Sequence, residues 1–152
     1  MSAASHRKTP CVGICSTTYG DLVCRGCKRF AHEIVGWNSF SSEQREEVWD
    51  RLRGIQRAVT KSFFAISDKK LLLTTAAENG ITYSDKTNDW DLLYHLFLRL
   101  PEKDGYLEKS GIEVREKVQN LDSQIAVIKK MDAEFLDRSK AVYERNYKIL
   151  AE

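Results

Sequence analysis

Four cysteines lie within one short stretch near the start of the chain, and the rest of the sequence has none. Their spacing is C-x3-C-x8-C-x2-C, formed by Cys11, Cys15, Cys24 and Cys27. Four thiolates on one loop can surround a single ion or cluster, which is how cysteine binds Zn²⁺ and iron–sulfur clusters. We therefore expect these four residues to be the ligands of one metal centre. The spacing leaves zinc and an iron–sulfur cluster both open.

Other cysteine chemistries fit the surrounding sequence less well. The polar N-terminus lacks the apolar core of a secretory signal, so we expect a cytoplasmic protein, where disulfides rarely persist. A redox-active pair at Cys24 and Cys27 needs a βαβ context that the predicted elements do not supply. His6 and His32 flank the cysteines. For both histidines an exposed or structural role is favoured over a place in a mixed Cys/His site.

Two cations, Lys28 and Arg29, directly follow the last cysteine, Cys27. A cation beside a four-thiolate site would offset its negative charge, and such surrounding groups tune metal sites. Arg29 has an alternative partner in Glu33, which lies one helical turn later. The sequence leaves these two interpretations of Arg29 equally open.

The glycines between the cysteines predict how the backbone turns there. Gly13, Gly20 and Gly26 are placed where a loop around a metal needs positive φ, which glycine adopts without steric cost. Gly26 lies inside the closing C-x2-C. We expect this segment to be a knuckle in which amide N–H groups point at thiolate sulfur.

These residues and their flanks closely resemble a bacterial family known as domain of unknown function 1289, whose members are described as small predicted iron–sulfur proteins. The resemblance covers about residues 9–52 and implies that the four cysteines form one site. Residues 61–152 are an extension that it does not explain. The matching residues are Thr9-Pro10-Cys11-Val12-Gly13-Ile14-Cys15, Cys24-Arg25-Gly26-Cys27-Lys28-Arg29, Glu33-Ile34, Trp37, and the stretch from Ser41 to Leu52.

The rest of the chain predicts a mainly α fold. We expect a disordered leader (1–9), a small four-cysteine metal-binding loop module with its supporting helix (10–60), and a helical extension (61–152). That extension would form a helical bundle with a long C-terminal helix. The first helical segment is expected at 30–37, and later ones are expected to start at Ser41, at Asp68 and near Asn88. Residues 102–111 are predicted to be a loop.

The C-terminal helix is predicted because the chain has no proline or glycine after Gly111. Its apolar residues begin with the alternating spacing of a coiled-coil seam, which then weakens. We favour packing of this helix within the chain, and a homodimer through residues 114–149 is the alternative. The seam residues are Val114, Val118, Leu121, Ile125, Ile128 and Phe135.

Composition and motifs narrow the function. The net charge of +2 is weak for a nucleic-acid binder, and no apolar run approaches the length of about 18 residues that a membrane helix needs. A zinc site closed by four cysteines leaves no position for a substrate, so we lean against an enzyme. The leading hypothesis is a metal-binding accessory protein that docks to a protein partner. An iron–sulfur electron-transfer or redox-sensing protein is the alternative, and a nucleic-acid-binding zinc knuckle using Arg25, Lys28 and Arg29 is a weaker one.

Overall fold

The computed structural model describes residues 9–13, 15–84, 86–99, 108–115 and 124–148. These residues are mainly helical, as predicted. A 3₁₀ turn at Ser16–Tyr19 precedes α1, and further 3₁₀ turns lie at Trp37–Ser39 and Glu108–Ser110. The helices are α1 (Ala31–Gly36), α2 (Ser42–Phe63), α3 (Lys69–Glu78), α4 (Asp89–Arg99) and α5 (Gln124–Tyr143), which continues as a π-helical turn, Glu144–Lys148; the strands are β1 (Phe64–Ile66) and β2 (Ile112–Val114).

The starts of the helices confirm the local signals in the sequence. At α2 the Ser41 amide donates to Oε1 of Gln44 (2.8 Å), and the Gln44 amide donates to Oγ of Ser41 (3.2 Å). These two bonds make the reciprocal capping box that the S-x-x-Q spacing predicts. At α3 the Leu71 amide donates to Oδ1 of Asp68 at 3.1 Å. Each cap satisfies a backbone donor that the first helical turn leaves without a partner.

The small antiparallel sheet was not predicted. Strand β1 pairs with β2 so that Phe64 lies opposite Val114 and Ile66 lies opposite Ile112. Val114 therefore belongs to a strand, and its prediction as the start of the C-terminal helical seam is wrong. The alternation Ile112-Glu113-Val114 places two β-branched side chains on one side of a strand, a pattern that suits sheet pairing. Pairing with β1 therefore makes residues 112–114 a strand, although the sequence after Gly111 has no proline or glycine to break a helix.

Gly111 fixes the turn before β2. The amides of Ser67 and Asp68 donate to its carbonyl at 2.8 and 3.2 Å. Its φ is +75°, and a Cβ placed there would lie 2.3 Å from the carbonyl oxygen of Asp68. Only glycine allows this close approach of two backbone segments.

The described residues divide into two compact units, and α2 and α5 contribute to both. The central unit contains the described residues of 56–131. Its core includes an aromatic pair, Phe64 and Phe97, with ring centroids 4.9 Å apart. On its polar side Arg57 donates to both carboxylate oxygens of Asp91, at 2.9 and 2.7 Å. Other buried residues of this unit are Val59, Phe63, Leu72, Leu92, Leu93, Leu96 and Ile112.

The cysteine unit contains the described residues of 9–55 and 132–148. Its apolar interior combines residues of the cysteine loop, of α1 and α2, and of the C-terminal part of α5. Trp37 is buried at the end of α1 and belongs to this interior. Other buried apolar residues of this unit include Val23, Phe30, Val48, Leu52 and Phe135.

Helix α5 buries only part of the predicted seam, since Phe135 is buried and Ile125 is not. Its buried positions recur every four residues, whereas Ile125 is 49% exposed. Val118 and Leu121 lie outside the described residues, as do residues 1–8 of the predicted leader and most of the predicted loop at 102–111. The homodimer stays a prediction. Among the described helices, none is long and apolar enough to cross a membrane. The buried positions of α5 are Val127, Met131, Phe135 and Ser139.

Candidate metal centre

Cys24 and Cys27 lie in a tight hairpin closed by a backbone bridge between Val23 and Phe30. The amide of Cys24 donates to the carbonyl of Arg29, and the amide of Lys28 donates to the carbonyl of Cys24, both at 2.9 Å. Val23 and Phe30 are buried. Their burial anchors both ends of the hairpin, so the C-x2-C turn between them has a defined backbone.

Backbone N–H groups converge on the two cysteine sulfurs of this hairpin. Sγ of Cys24 accepts from the amides of Cys27, Ser16 and Gly26 and is hydrogen-bonded to the Cys27 thiol. Sγ of Cys27 accepts from the Arg29 amide. The expected knuckle, with amide groups directed at sulfur, is therefore present.

Cys11 and Cys15 also have hydrogen-bonding groups two residues further along the chain. The Gly13 amide donates to Sγ of Cys11 at 3.4 Å. Sγ of Cys15 lies 3.1 Å from Oγ1 of Thr17. Together with the Cys24–Gly26 and Cys27–Arg29 bonds, this gives all four sulfurs a partner at position i+2. The shared pattern suits thiolates, which accept hydrogen bonds more strongly than thiols do.

The two buried cysteines have opposite pKa shifts. Burial raises the pKa of the Cys24 thiol, but the hydrogen bonds from Cys27, Ser16 and Gly26 outweigh that effect and lower it to about 7. Burial also raises the pKa of the Cys27 thiol. There the hydrogen bonds and positive charge of Arg29 offset the rise only in part. The surroundings therefore favour Cys24 as the thiolate of the pair.

Arg29 contacts the sulfur of Cys27 rather than Glu33. Its Nε donates to Sγ of Cys27 at 3.3 Å, and its Cζ lies 4.9 Å from the centroid of the Trp37 ring. Glu33 instead accepts two hydrogen bonds from Arg51. Of the two interpretations of Arg29, the structure has the one that places its charge at a cysteine.

Lys28 occupies an unusual backbone conformation in this loop. Its φ is +64°, in the left-handed region, which costs a residue with a side chain about 1–2 kcal/mol. Positive φ was expected at Gly13, Gly20 and Gly26. Gly13 (φ +91°) and Gly20 (φ +97°) confirm it, but Gly26 does not. The left-handed residue is Lys28 because the chain reverses its direction after Cys27. The chain does not reverse inside the C-x2-C, so Gly26 needs no positive φ.

The ammonium group of Lys28 contacts a backbone carbonyl and a carboxylate rather than a cysteine sulfur. Lys28 is 3% exposed, and its Nζ donates to the Gly26 carbonyl at 3.0 Å and pairs with the carboxylate of Asp132. The same Nζ lies 5.3 Å from the centroid of the Phe135 ring. The expected offset of thiolate charge is therefore a direct contact only for Arg29.

The structure brings two of the four predicted ligands together. Cys24 and Cys27 are buried and hydrogen-bonded to each other, whereas Cys15 is half-buried and Cys11 is exposed. Within the described ranges, no three histidine, cysteine or acidic side chains form a group that could hold a metal ion. The donor chemistry of the Cys24–Cys27 knuckle fits a thiophilic metal, and Cys11 and Cys15 are not assembled with it.

His32 belongs to no metal-binding group among the described residues. It is exposed, and its ring packs against Phe30 and Tyr147, with centroids 5.9 and 4.9 Å away. The exposed or structural role expected for His32 is therefore the one observed. His6 lies outside the described residues.

Sequence reasoning missed the residues that support the hairpin from a distance. Asp132, Tyr143 and Tyr147 come from α5 and its extension, and Arg51 comes from α2. These residues are far from the hairpin in the sequence, so no local pattern indicates the contacts. The one available signal was the charge of Glu33, which follows the loop and needs a cation if buried.

The fold and this site define a mainly helical protein with an N-terminal four-cysteine segment. Residues 9–56 match the sequence model of the family described as protein of unknown function (DUF1289), which confirms the resemblance seen in the motifs. The match ends within α2 and covers less than half of the chain. No curated protein and no solved structure matches the chain.

Proposed function

We propose that the segment of residues 9–55 is a metal-binding module whose ligands are Cys11, Cys15, Cys24 and Cys27. The observation that carries this proposal is the environment of Cys24. Its sulfur is fully buried, yet three backbone N–H groups and a second thiol point at it. Such a cradle favours a buried thiolate, and thiolate is the form of cysteine that binds metal.

The contact of Arg29 with Cys27 supports the same assignment. Arg29 places a buried guanidinium against its sulfur. A buried cation is costly unless it is paired, so a thiolate at Cys27 would stabilise Arg29 as well. A bound ion would supply a cross-link between chain segments if it is zinc, and an electron carrier if it is an iron–sulfur cluster.

Cys11 and Cys15 would complete the set. Both already have a hydrogen-bonding group at position i+2, as the knuckle cysteines do. Metal binding then has to bring the sulfurs of Cys11 and Cys15 to those of the Cys24–Cys27 hairpin. In sites of this kind, the free energy of metal binding is also free energy of folding.

We further propose that the module acts by docking to a protein partner. Tyr19 is 90% exposed and Val35 is 87% exposed, and both lie in the segment that matches the family. Aromatic side chains such as that of Tyr19 are enriched in protein interfaces, and docking would also remove the apolar Val35 side chain from water.

The nucleic-acid alternative finds no support in the positions of its cations. Lys28 and Arg29 are buried, whereas the Arg25 side chain is 69% exposed and forms an ion pair with Asp21 at 3.3 Å. Phosphate contacts need accessible cations, and Arg25 is the one accessible cation of these three. The contacts of Lys28 and Arg29 instead stabilise the loop.

The experiment is a measurement of metal content, acid-labile sulfide and visible absorbance on full-length protein purified without oxygen. One zinc per chain and no colour would support a structural site. Iron with sulfide and a broad visible absorbance would support a redox or sensing role. Cys24→Ser is expected to lose the metal in either case. Wild-type protein that holds neither metal, and takes up neither on reconstitution, contradicts the proposal.

A further inference from the structure

Lys28 combines two features that are individually unfavourable. Its backbone is left-handed (φ +64°), a conformation in which glycine would be less strained. Its side chain carries a charge and yet is 4% exposed. Strained residues persist where the surrounding structure holds them, and they cluster at functional sites. The contacts of the side chain therefore indicate what this residue does.

Those contacts join the cysteine loop to the C-terminal helix. Nζ of Lys28 donates to the carbonyl of Gly26, which lies between Cys24 and Cys27. The same atom forms an ion pair with Asp132 on α5, 104 residues away in sequence. One ammonium group thus binds the backbone of the C-x2-C turn and the helix together.

A second set of contacts continues along the same helix. The Phe30 ring, at the end of the hairpin, packs edge-on against Tyr143 and Tyr147, with centroids 5.2 and 5.5 Å away. These residues all belong to the cysteine unit. Residues 132–148 therefore pack on the hairpin from Lys28 to Phe30, and Lys28 makes the polar contact.

We propose that Lys28 couples metal binding at the cysteines to docking of residues 132–148. This inference rests on the proposed metal-binding function. A metal held by Cys24 and Cys27 would further restrict the movement of the C-x2-C turn, and would so strengthen the contacts of the Lys28 ammonium group with the Gly26 carbonyl and Asp132. Because such coupling is reciprocal, the docked helix raises metal affinity by the same factor by which metal strengthens docking.

The test uses the full chain with zinc alone as the probe. Hydrogen exchange of the amides in 132–148 is measured with zinc and after chelation, and zinc affinity is measured by competition with a chromophoric chelator. In wild-type protein, zinc is expected to slow exchange in this segment by at least about fivefold. In Lys28→Gly and Asp132→Asn the effect of zinc on exchange is expected to fall below about twofold, which is the range within which uncoupled sites differ. In both variants zinc affinity should fall by the factor by which the effect of zinc on exchange is reduced.

Two of the variants remove the ion pair, one from each side, and a third variant is the control. Lys28→Gly suits the left-handed backbone, so it removes the side chain without disturbing the turn. Asp132→Asn breaks the ion pair from the helix, far from the ligands in sequence. Asp137→Asn, an exposed acid on the same helix, should behave as wild type.

The outcomes separate the two proposals. If wild-type protein binds zinc but exchange in 132–148 does not change, the coupling is overturned and the metal-binding function stands. If Asp132→Asn keeps the full zinc effect, Lys28 is not the coupling residue. If wild-type protein takes up neither zinc nor an iron–sulfur cluster, both proposals are overturned.

Discussion

Glu33 and Arg51 form a bidentate ion pair that links α1 to α2. The two guanidinium nitrogens of Arg51 lie 2.5 and 2.6 Å from the Glu33 carboxylate oxygens. Glu33 also accepts the Phe30 amide at 2.8 Å, and Cζ of Arg51 lies 4.0 Å from the centroid of the Phe30 ring. One charge pair thus holds the residue at which the hairpin ends.

Removal of one partner from this pair should be costly. Glu33→Gln leaves the largely buried Arg51 without its counter-charge, and we expect the free energy of unfolding to fall by about 3 kcal/mol. Chemical denaturation of the metal-saturated protein measures it. The exposed Glu47 on α2 gives the matched control, Glu47→Gln, expected to stay within about 0.5 kcal/mol of wild type. Equal effects of the two variants would contradict this role of the ion pair.

Thr17 is expected to matter for metal binding through its hydroxyl. Its Oγ1 lies 3.1 Å from Sγ of Cys15, so Thr17→Val removes a partner of one ligand and should weaken zinc binding about tenfold. The neighbouring Thr18 donates its hydroxyl to the Cys15 carbonyl instead. Thr18→Val should leave zinc affinity unchanged in the same competition assay. If both variants weaken binding alike, the effect belongs to the 3₁₀ turn and not to the sulfur contact.

Arg29 and Arg45 allow the charge at Cys27 to be separated from packing on Trp37. Both guanidinium groups lie over the Trp37 ring, with Cζ 4.9 and 5.7 Å from its centroid. Arg29 donates to a cysteine sulfur, whereas Arg45 donates to the carbonyls of Trp37 and Asn38. Arg29→Met is therefore expected to lower zinc affinity about tenfold.

Arg45→Met is expected to lower stability without a change in zinc affinity, which isothermal titration and denaturation measure on the same samples. The interpretation of Arg29 would be wrong if its replacement lowered stability alone.

Replacement of glycine by alanine is expected to have opposite effects on stability at Gly111 and at Gly54. Gly111→Ala places a methyl group 2.3 Å from the Asp68 carbonyl at positive φ, and we expect a loss of about 2 kcal/mol of stability. Gly54 lies within α2, where a methyl group in place of its hydrogen would meet no atom within 4 Å. Gly54→Ala should therefore stabilise the helix by about 0.5–1 kcal/mol. Thermal denaturation of both variants tests the pair, and a neutral Gly111→Ala would contradict the close approach.

Features set by neighbouring residues could be predicted from the sequence. The Ser41–Gln44 box and the Asp68 cap need only a few adjacent residues, and so does the knuckle at Cys24–Cys27. The ion pair of Lys28 with Asp132 could not be predicted because it depends on contacts across most of the chain. Val114 was assigned wrongly for the same reason, since its strand exists only because Phe64 lies opposite.

The candidate site likewise has local features that the sequence predicts and long-range contacts that it does not. The residue types and spacing indicate a thiolate site, and the i+2 pattern at each sulfur is local. Which cation reaches a sulfur is not local. The choice between Cys27 and Glu33 for Arg29 was settled by Arg51, which lies 18 residues from Glu33 and occupies its carboxylate.

The hydrogen bonds to sulfur have a consequence for how this segment tolerates mutation. At Cys11, Cys24 and Cys27 the donor at position i+2 is a peptide N–H, which every residue except proline supplies. Side chains between the cysteines can therefore change while the electrostatic environment of these three sulfurs is kept, provided that the backbone path survives. Thr17 is the exception, because there the contact depends on a hydroxyl that a substitution can delete.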